Sequence, residues 1–135
     1  MKCAIIGCGR IALNHVKAVR ANGFELAALC DTASGKAEGL LERAEWDGPA
    51  PRIYGGHGEM LAAEPDLDIA AVATESGEHA RIALDCIDAG VNAIIEKPVA
   101  MSMADADEIV RRAEERGVKV SACHQNRFNV AVRHV

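Results

Sequence analysis

The sequence has no stretch of about 20 apolar residues, which excludes a membrane-spanning helix by the usual length criterion. It has no long basic run either, and 15 Lys+Arg against 20 Asp+Glu leave a net charge of −5. That balance argues against non-specific nucleic-acid binding, whose affinity comes from lysine and arginine on phosphates. Five cysteines (Cys3, Cys8, Cys30, Cys86, Cys123) include no Cys-x-x-Cys pair. No Cys and His are clustered at zinc-ligand spacing, so no metal is expected. The thiols read as small buried side chains in a reducing compartment. Ile5-Ile6-Gly7-Cys8 has the pattern of a lipoprotein cleavage site, but only four residues precede it. That is too few for the charged and apolar regions of a signal peptide, and a cytoplasmic protein is expected. No internal repeat or low-complexity linker interrupts the chain. What remains is ordinary globular composition, 135 residues of which 50% are apolar and 26% charged. That length suits one domain able to bury about two-thirds of the surface of its unfolded chain.

Short apolar runs alternate with longer helical stretches. Residues 2–6 (KCAII) form a continuous apolar run that stops at Gly7, as a strand buried on both faces does. Residues 10–21 carry Ile11, Val16 and Val19 at helical spacing, closed by Asn22-Gly23. Strands follow at 24–30, 52–54, 68–74, 91–95 and 119–123. Helices are expected at 36–44, 59–64 (ended by Pro65), 78–89 (capped by Gly90) and from Ser102 to Gly117. In the last of these Asp105 is a capping-box partner, and Ile109, Val110 and Ala113 are expected to face inward. Six strands with intervening helices predict right-handed βαβ units and an α/β fold, a doubly wound parallel sheet with helices on both faces. Asn129 to Val135 (NVAVRHV) begins an amphipathic run without a cap, and an element continuing past Val135 is expected.

Gly7-Cys8-Gly9-Arg10-Ile11-Ala12 is G-x-G-x-x-A, after a strand and opening a helix. The first glycine permits a tight turn, the second lets backbone approach a pyrophosphate, and the small third residue lets the helix pack closely on the sheet. Phosphates there meet free N–H groups and the positive end of the helix dipole. Asp31, about 20 residues on at the end of the second strand, stands where a carboxylate accepts from an adenosine ribose. A 2′-phosphate would face its charge, and no arginine follows in Asp31-Thr32-Ala33-Ser34, so NAD is favoured over NADP. The alternative for Asp31 is the start of a turn or a helix cap. Gly7, Asp31, Thr74, Glu96-Lys97 and His124 all fall at C-terminal ends of strands, the edge where open parallel sheets bind ligands.

Gly7-Cys8-Gly9-Arg10-Ile11-Ala12-x-x-His15, Glu96-Lys97-Pro98 and Asn126-Arg127-Phe128 resemble the Gfo/Idh/MocA oxidoreductases, over essentially the whole chain. Thr74-Glu75-Ser76-Gly77-x-His79 and His124-Gln125-Asn126-Arg127-Phe128-Asn129 are similar to one branch. That branch oxidises the 3-hydroxyl of UDP-N-acetylglucosaminuronic acid in bacterial surface-polysaccharide biosynthesis. Where many members have Pro-Asn, this chain has Glu75-Ser76.

The resemblance implies an NAD-binding Rossmann domain over residues 1–124. Residues 125–135 then start a connection to a C-terminal substrate domain that this chain does not contain. It implies transfer of hydride between a sugar or nucleotide-sugar alcohol and nicotinamide, in a full-length protein that is a homo-oligomer. Lys97 is the implied catalytic lysine, exchanging a proton with the alcohol or orienting it; the alternative is a solvated lysine. Glu96 is implied at the nicotinamide ribose, and the Lys97–Pro98 bond is often cis in the family. Cys8, Arg10 and Ile11 come with the glycine turn, and Thr74 and Glu75 pass under the adenine side and pyrophosphate. His79 either donates to the cofactor or caps its helix. His15 reads as a core histidine, while His57 and His134 read as surface residues. Gln125 and Arg127 flank the nicotinamide side, Arg127 meeting an acidic substrate group or standing in a salt bridge. A non-catalytic dinucleotide sensor acting through a protein partner is the other functional reading; Glu96-Lys97-Pro98 speaks against it, since a sensor needs no proton-transfer lysine.

Overall fold

A computed structural model describes residues 1–128 and Val130. The run Asn129–Val135 therefore lies, Val130 apart, outside the described residues, as does His134. Six strands, β1 (Lys2–Ile6), β2 (Glu25–Cys30), β3 (Arg52–Tyr54), β4 (Ile69–Val72), β5 (Asn92–Ile95) and β6 (Val120–Ala122), form one sheet in the order β3-β2-β1-β4-β5-β6. Every pairing is parallel. The order reverses between β1 and β4, which opens a crevice at their C-terminal ends.

Alternation along β1 divides the core. Cys3 and Ile5 pack toward α1 (Ala12–Ala21) and α2 (Lys36–Arg43), with Val16, Val19 and Leu40. Ala4 and Ile6 pack toward α3 (His57–Ala63), α4 (His79–Asp88) and α5 (Met103–Arg116), with Met60, Ile82, Ile87 and Ile109. Because both faces are covered, the central strands read as unbroken apolar runs rather than alternating ones. In β2 the register slips by one against β1, Cys3 pairing with Leu26 and Ala4 with Ala28. Ala27 is the extra residue, and it leaves Leu26 and Leu29 on the same face.

Element ends differ from the sequence expectation where the chain enters the strand-end crevice. The first helix begins at Ala12 rather than residue 10, because Gly9 to Ile11 form the turn that delivers it. The fourth strand stops at Val72, and Ala73-Thr74 leave the ladder after one more bond, Ala73 N–H to Ile6 C=O at 2.8 Å. A 3₁₀ turn at Ser76–Glu78 precedes α4. Val110 does not face inward: it is 58% exposed, whereas Ile109 and Ala113 are buried. The pair at i and i+4 shares one helix face, and Val110 sits about 100° round from Ile109.

Ser102 caps α5 as its sequence suggested. Its Oγ accepts the Asp105 N–H at 3.1 Å and donates to Asp105 Oδ2 at 2.7 Å. Gly117, at φ 68°, ends the helix. Ser102→Ala is expected to lower stability by about 1 kcal/mol, read as a lower urea midpoint at unchanged m-value.

Candidate functional site

A cleft of about 590 Å³ lies at the crevice between β1 and β4. Gly7, Gly9, Arg10, Ile11, Asp31, Thr74 and Glu75 line it, so seven of the expected residues converge from three separate segments. Gly7 has φ +92°, and a Cβ there would stand 2.6 Å from the Thr74 nitrogen and 2.7 Å from the Ala73 carbonyl. Only glycine lets β1 turn this close to the end of β4. A Cβ on Gly9 would meet no protein atom within 4 Å. The second glycine therefore serves the cleft, not the packing. Ala12 is fully buried, which brings α1 down onto the sheet. Its N-cap, Ile11, makes no side-chain cap bond, so the first N–H groups of α1 remain available at the cleft.

Asp31 holds the turn in place and still lines the cleft. Its Oδ2 accepts the Cys8 N–H at 2.8 Å, and its Oδ1 accepts the Ala33 N–H at 2.9 Å. The second of these is a turn of the kind aspartate makes with the residue two on. A carboxylate has about four acceptor positions, so two remain for hydroxyl donors. Arg43, on α2, donates to the Cys8 carbonyl at 3.2 Å and ties the same loop from below.

Three expected ligands, Cys8, His79 and Glu96, have polar atoms engaged within the protein. Cys8 is fully buried, its N–H is taken by Asp31, and its thiol lies 3.7 Å from the Cys30 carbonyl. It braces the glycine turn rather than facing the cleft. His79 is 1% exposed, with Nδ1 2.7 Å from the Pro98 carbonyl oxygen and Nε2 3.1 Å from that of Thr74. In either tautomer the ring donates inside the protein, and it caps no helix. A neutral ring donates to one of these carbonyls at a time, and it stands between the loop after β4 and the loop after β5, where the Lys97–Pro98 peptide is cis.

Lys97, Gln125 and Arg127 are exposed at the ends of β5 and β6, beyond the cleft lining. From β2 to β5 the sheet edge spans three strand spacings, about 14 Å. Asp31 and Lys97 thus lie at the ends of strands three positions apart in the sheet. Glu96, next to Lys97, is turned inward and 8% exposed. One oxygen lies 2.9 Å from His15 Nε2, which gives the expected core histidine its partner. Glu96 thus has one carboxylate oxygen engaged with His15 inside the protein.

Residues that sequence patterns missed also face the cleft. Lys36, His57 and Arg81 line its outer part. His57, expected on the surface, has its Nε2 2.7 Å from Asp85 Oδ2. Arg81 Nε donates to Glu78 Oε2 at 3.1 Å. These side chains come from α2, α3 and α4, and no local spacing predicts that they meet.

The five thiols are unpaired. Burial pushes Cys8 and Cys86 up to about 12 and Cys30 and Cys123 up to about 11, so none is a thiolate at neutral pH.

Residues 1–124 match a family model described as an oxidoreductase family with an NAD-binding Rossmann fold. D-Apiose dehydrogenase of Paraburkholderia graminis is 35% identical over 99% of this chain and 35% of its own length. The WlbA dehydrogenase of Chromobacterium violaceum, solved with NADH and UDP-GlcNAcA, superposes with a TM-score of 0.88 at 31% identity. It covers 99% of this chain and 38% of its own. WlbA of Bordetella pertussis, in complex with the same two molecules, gives 0.87 at 30% identity over 98% and 39%. This chain thus spans little more than a third of the length of each.

Proposed function

The chain belongs to the Gfo/Idh/MocA oxidoreductase family and is an NAD-binding Rossmann domain, and from that premise we propose that it is the cofactor half of a dehydrogenase acting on sugar or nucleotide-sugar secondary alcohols. The observation that carries the proposal is the glycine turn at the β1–β4 switch point. There the Gly9 Cβ direction is open, the α1 N-terminus is uncapped, and Asp31 faces the same cleft.

These residues fit a dinucleotide. The backbone of Gly9 to Ile11 would take the pyrophosphate, Arg10 would add a cation beside it, and the free acceptor positions of Asp31 would take the adenosine ribose hydroxyls. Thr74 and Glu75 would form the floor under the adenine side and pyrophosphate, with Gln125 and Arg127 flanking the nicotinamide side. When bound, NAD supplies the hydride acceptor. Lys97 Nζ takes or holds the proton of the substrate hydroxyl. Glu96, fixed by His15, sets the start of the Lys97 loop, and His79 sets its end through Pro98. Both act by positioning.

The substrate class follows from Thr74 to His79 and His124 to Asn129, which resemble the branch acting on UDP-N-acetylglucosaminuronic acid. The two solved WlbA structures hold UDP-GlcNAcA in their complexes. Residues 1–124 form the cofactor domain, and 125–135 begin the connection to a substrate domain, in a homo-oligomeric whole. The relatives' greater length supports this division. Unpaired, protonated thiols suit the reducing cytoplasm. Among the described residues no helix is long and apolar enough to cross a membrane.

The test is NADH formation by the full-length protein with NAD⁺ and UDP-N-acetylglucosaminuronic acid, beside free pentoses and inositol. Turnover of the nucleotide sugar well above the free sugars is expected. Turnover of free sugars alone removes the nucleotide-sugar assignment, and cofactor binding without turnover on any of them favours the sensor.

A further inference from the structure

We propose that His15, Glu96 and Cys123 form a binding site for one thiophilic divalent cation, of which zinc is the type case, beside Lys97 at the C-terminal edge of the sheet. His15 Nε2, a Glu96 carboxylate oxygen and Cys123 Sγ all lie within 4.8 Å of one another. They come from the first half of α1, the residue after β5 and the residue after β6. Sequence spacing showed no zinc pattern because the fold, not the local chain, brings the donors together.

Imidazole nitrogen, carboxylate oxygen and thiolate sulfur are the three donor types zinc prefers. Bonds of about 2.0–2.3 Å around a tetrahedron set donor–donor separations of about 3.3–3.8 Å. The 2.9 Å His15–Glu96 contact therefore opens slightly, and the separations to Cys123 Sγ, each within 4.8 Å, adjust by side-chain rotation. The His15 and Glu96 side chains are only 12% and 11% exposed, so their competition from water is small. On binding, the Cys123 S–H bond breaks, its proton leaves to solvent and an S–metal bond forms. His15 loses to solvent the Nε2 proton it donates to Glu96 and takes one on Nδ1, so that its Nε2 lone pair binds the metal, and water completes the fourth position. No electron is transferred. The bound cation staples β6, a three-residue edge strand, to α1 and β5, and it holds the Glu96 carboxylate that precedes Lys97.

Cobalt(II) titration of the 135-residue chain, with a phosphine reductant, tests this independently of NAD binding. A near-ultraviolet thiolate-to-cobalt band saturating at one ion per chain is expected, bleached by zinc. Cys123→Ala should abolish it, and Glu96→Gln or His15→Ala should weaken affinity at least tenfold. Zinc should raise the Tm of the parent chain but not of Cys123→Ala, and should slow alkylation of Cys123 read by mass spectrometry. No band in the folded parent chain, a band unchanged in Cys123→Ala, or alkylation unaffected by zinc overturns the site. The alkylation measurement needs no variant, so misfolding of His15→Ala leaves the test intact. Failure of the NAD titration described in the Discussion would leave this result standing, and the converse holds.

Discussion

Gly7→Ala is expected to cost on the order of 3–5 kcal/mol of stability and to abolish NAD binding. Two penalties add at one atom. The backbone sits at φ +92°, a conformation that side-chain-bearing residues rarely adopt. The new Cβ would also stand 2.6–2.7 Å from backbone atoms of Ala73 and Thr74. Backbone cannot rotate aside as a side chain does, so the β1–β4 seam must open, and that seam is the centre of the sheet. Set against a total stability of about 5–15 kcal/mol, the loss is a large share. Gly9→Ala separates the two roles of the motif. Its Cβ meets nothing in the protein, so the urea midpoint should hold while NAD affinity falls about tenfold or more. Equal stability of Gly7→Ala and the parent chain would mean that the turn is not held as described.

Lys97→Ala in the full-length protein is expected to lower kcat by about 10²–10⁴-fold, the range for loss of a positioned acid or base. The cofactor Kd should stay within a few-fold, because Lys97 lies outside the residues that line the cleft. Its surroundings are prepared by neighbours rather than by its own contacts. Glu96 before it is held by His15, and Pro98 after it is held by His79. A His79→Ala change should therefore disturb kcat through the loop while leaving the chemical groups in place. Unchanged turnover in Lys97→Ala would take the lysine out of the mechanism.

The sheet was legible in the sequence because a strand buried on both faces must be apolar throughout, as KCAII and ELAALC are. The glycine turn and Asp31 were legible because backbone conformation and a strand-end carboxylate act locally. The misses share a different cause. Val110 is as apolar as Ile109, yet one residue of helical rotation places it in solvent. Cys8, His79 and Glu96 occupy motif positions, yet their polar atoms are claimed by Asp31, Pro98, Thr74 and His15, partners set by the fold. Arg43 and His57 carry no motif, and they reach the site only because α2 and α3 pack beside β1 and β2. Contacts between elements distant in sequence leave no periodicity to read.

On the proposed reading, the cleft at the β1–β4 switch point takes the adenosine and pyrophosphate of NAD. Calorimetric titration of the 135-residue chain with NAD⁺ tests it most directly. A single site per chain is predicted, weakened at least tenfold in Asp31→Ala, with NADP⁺ binding more weakly than NAD⁺. Absence of binding by chain shown to be folded by circular dichroism would contradict the account.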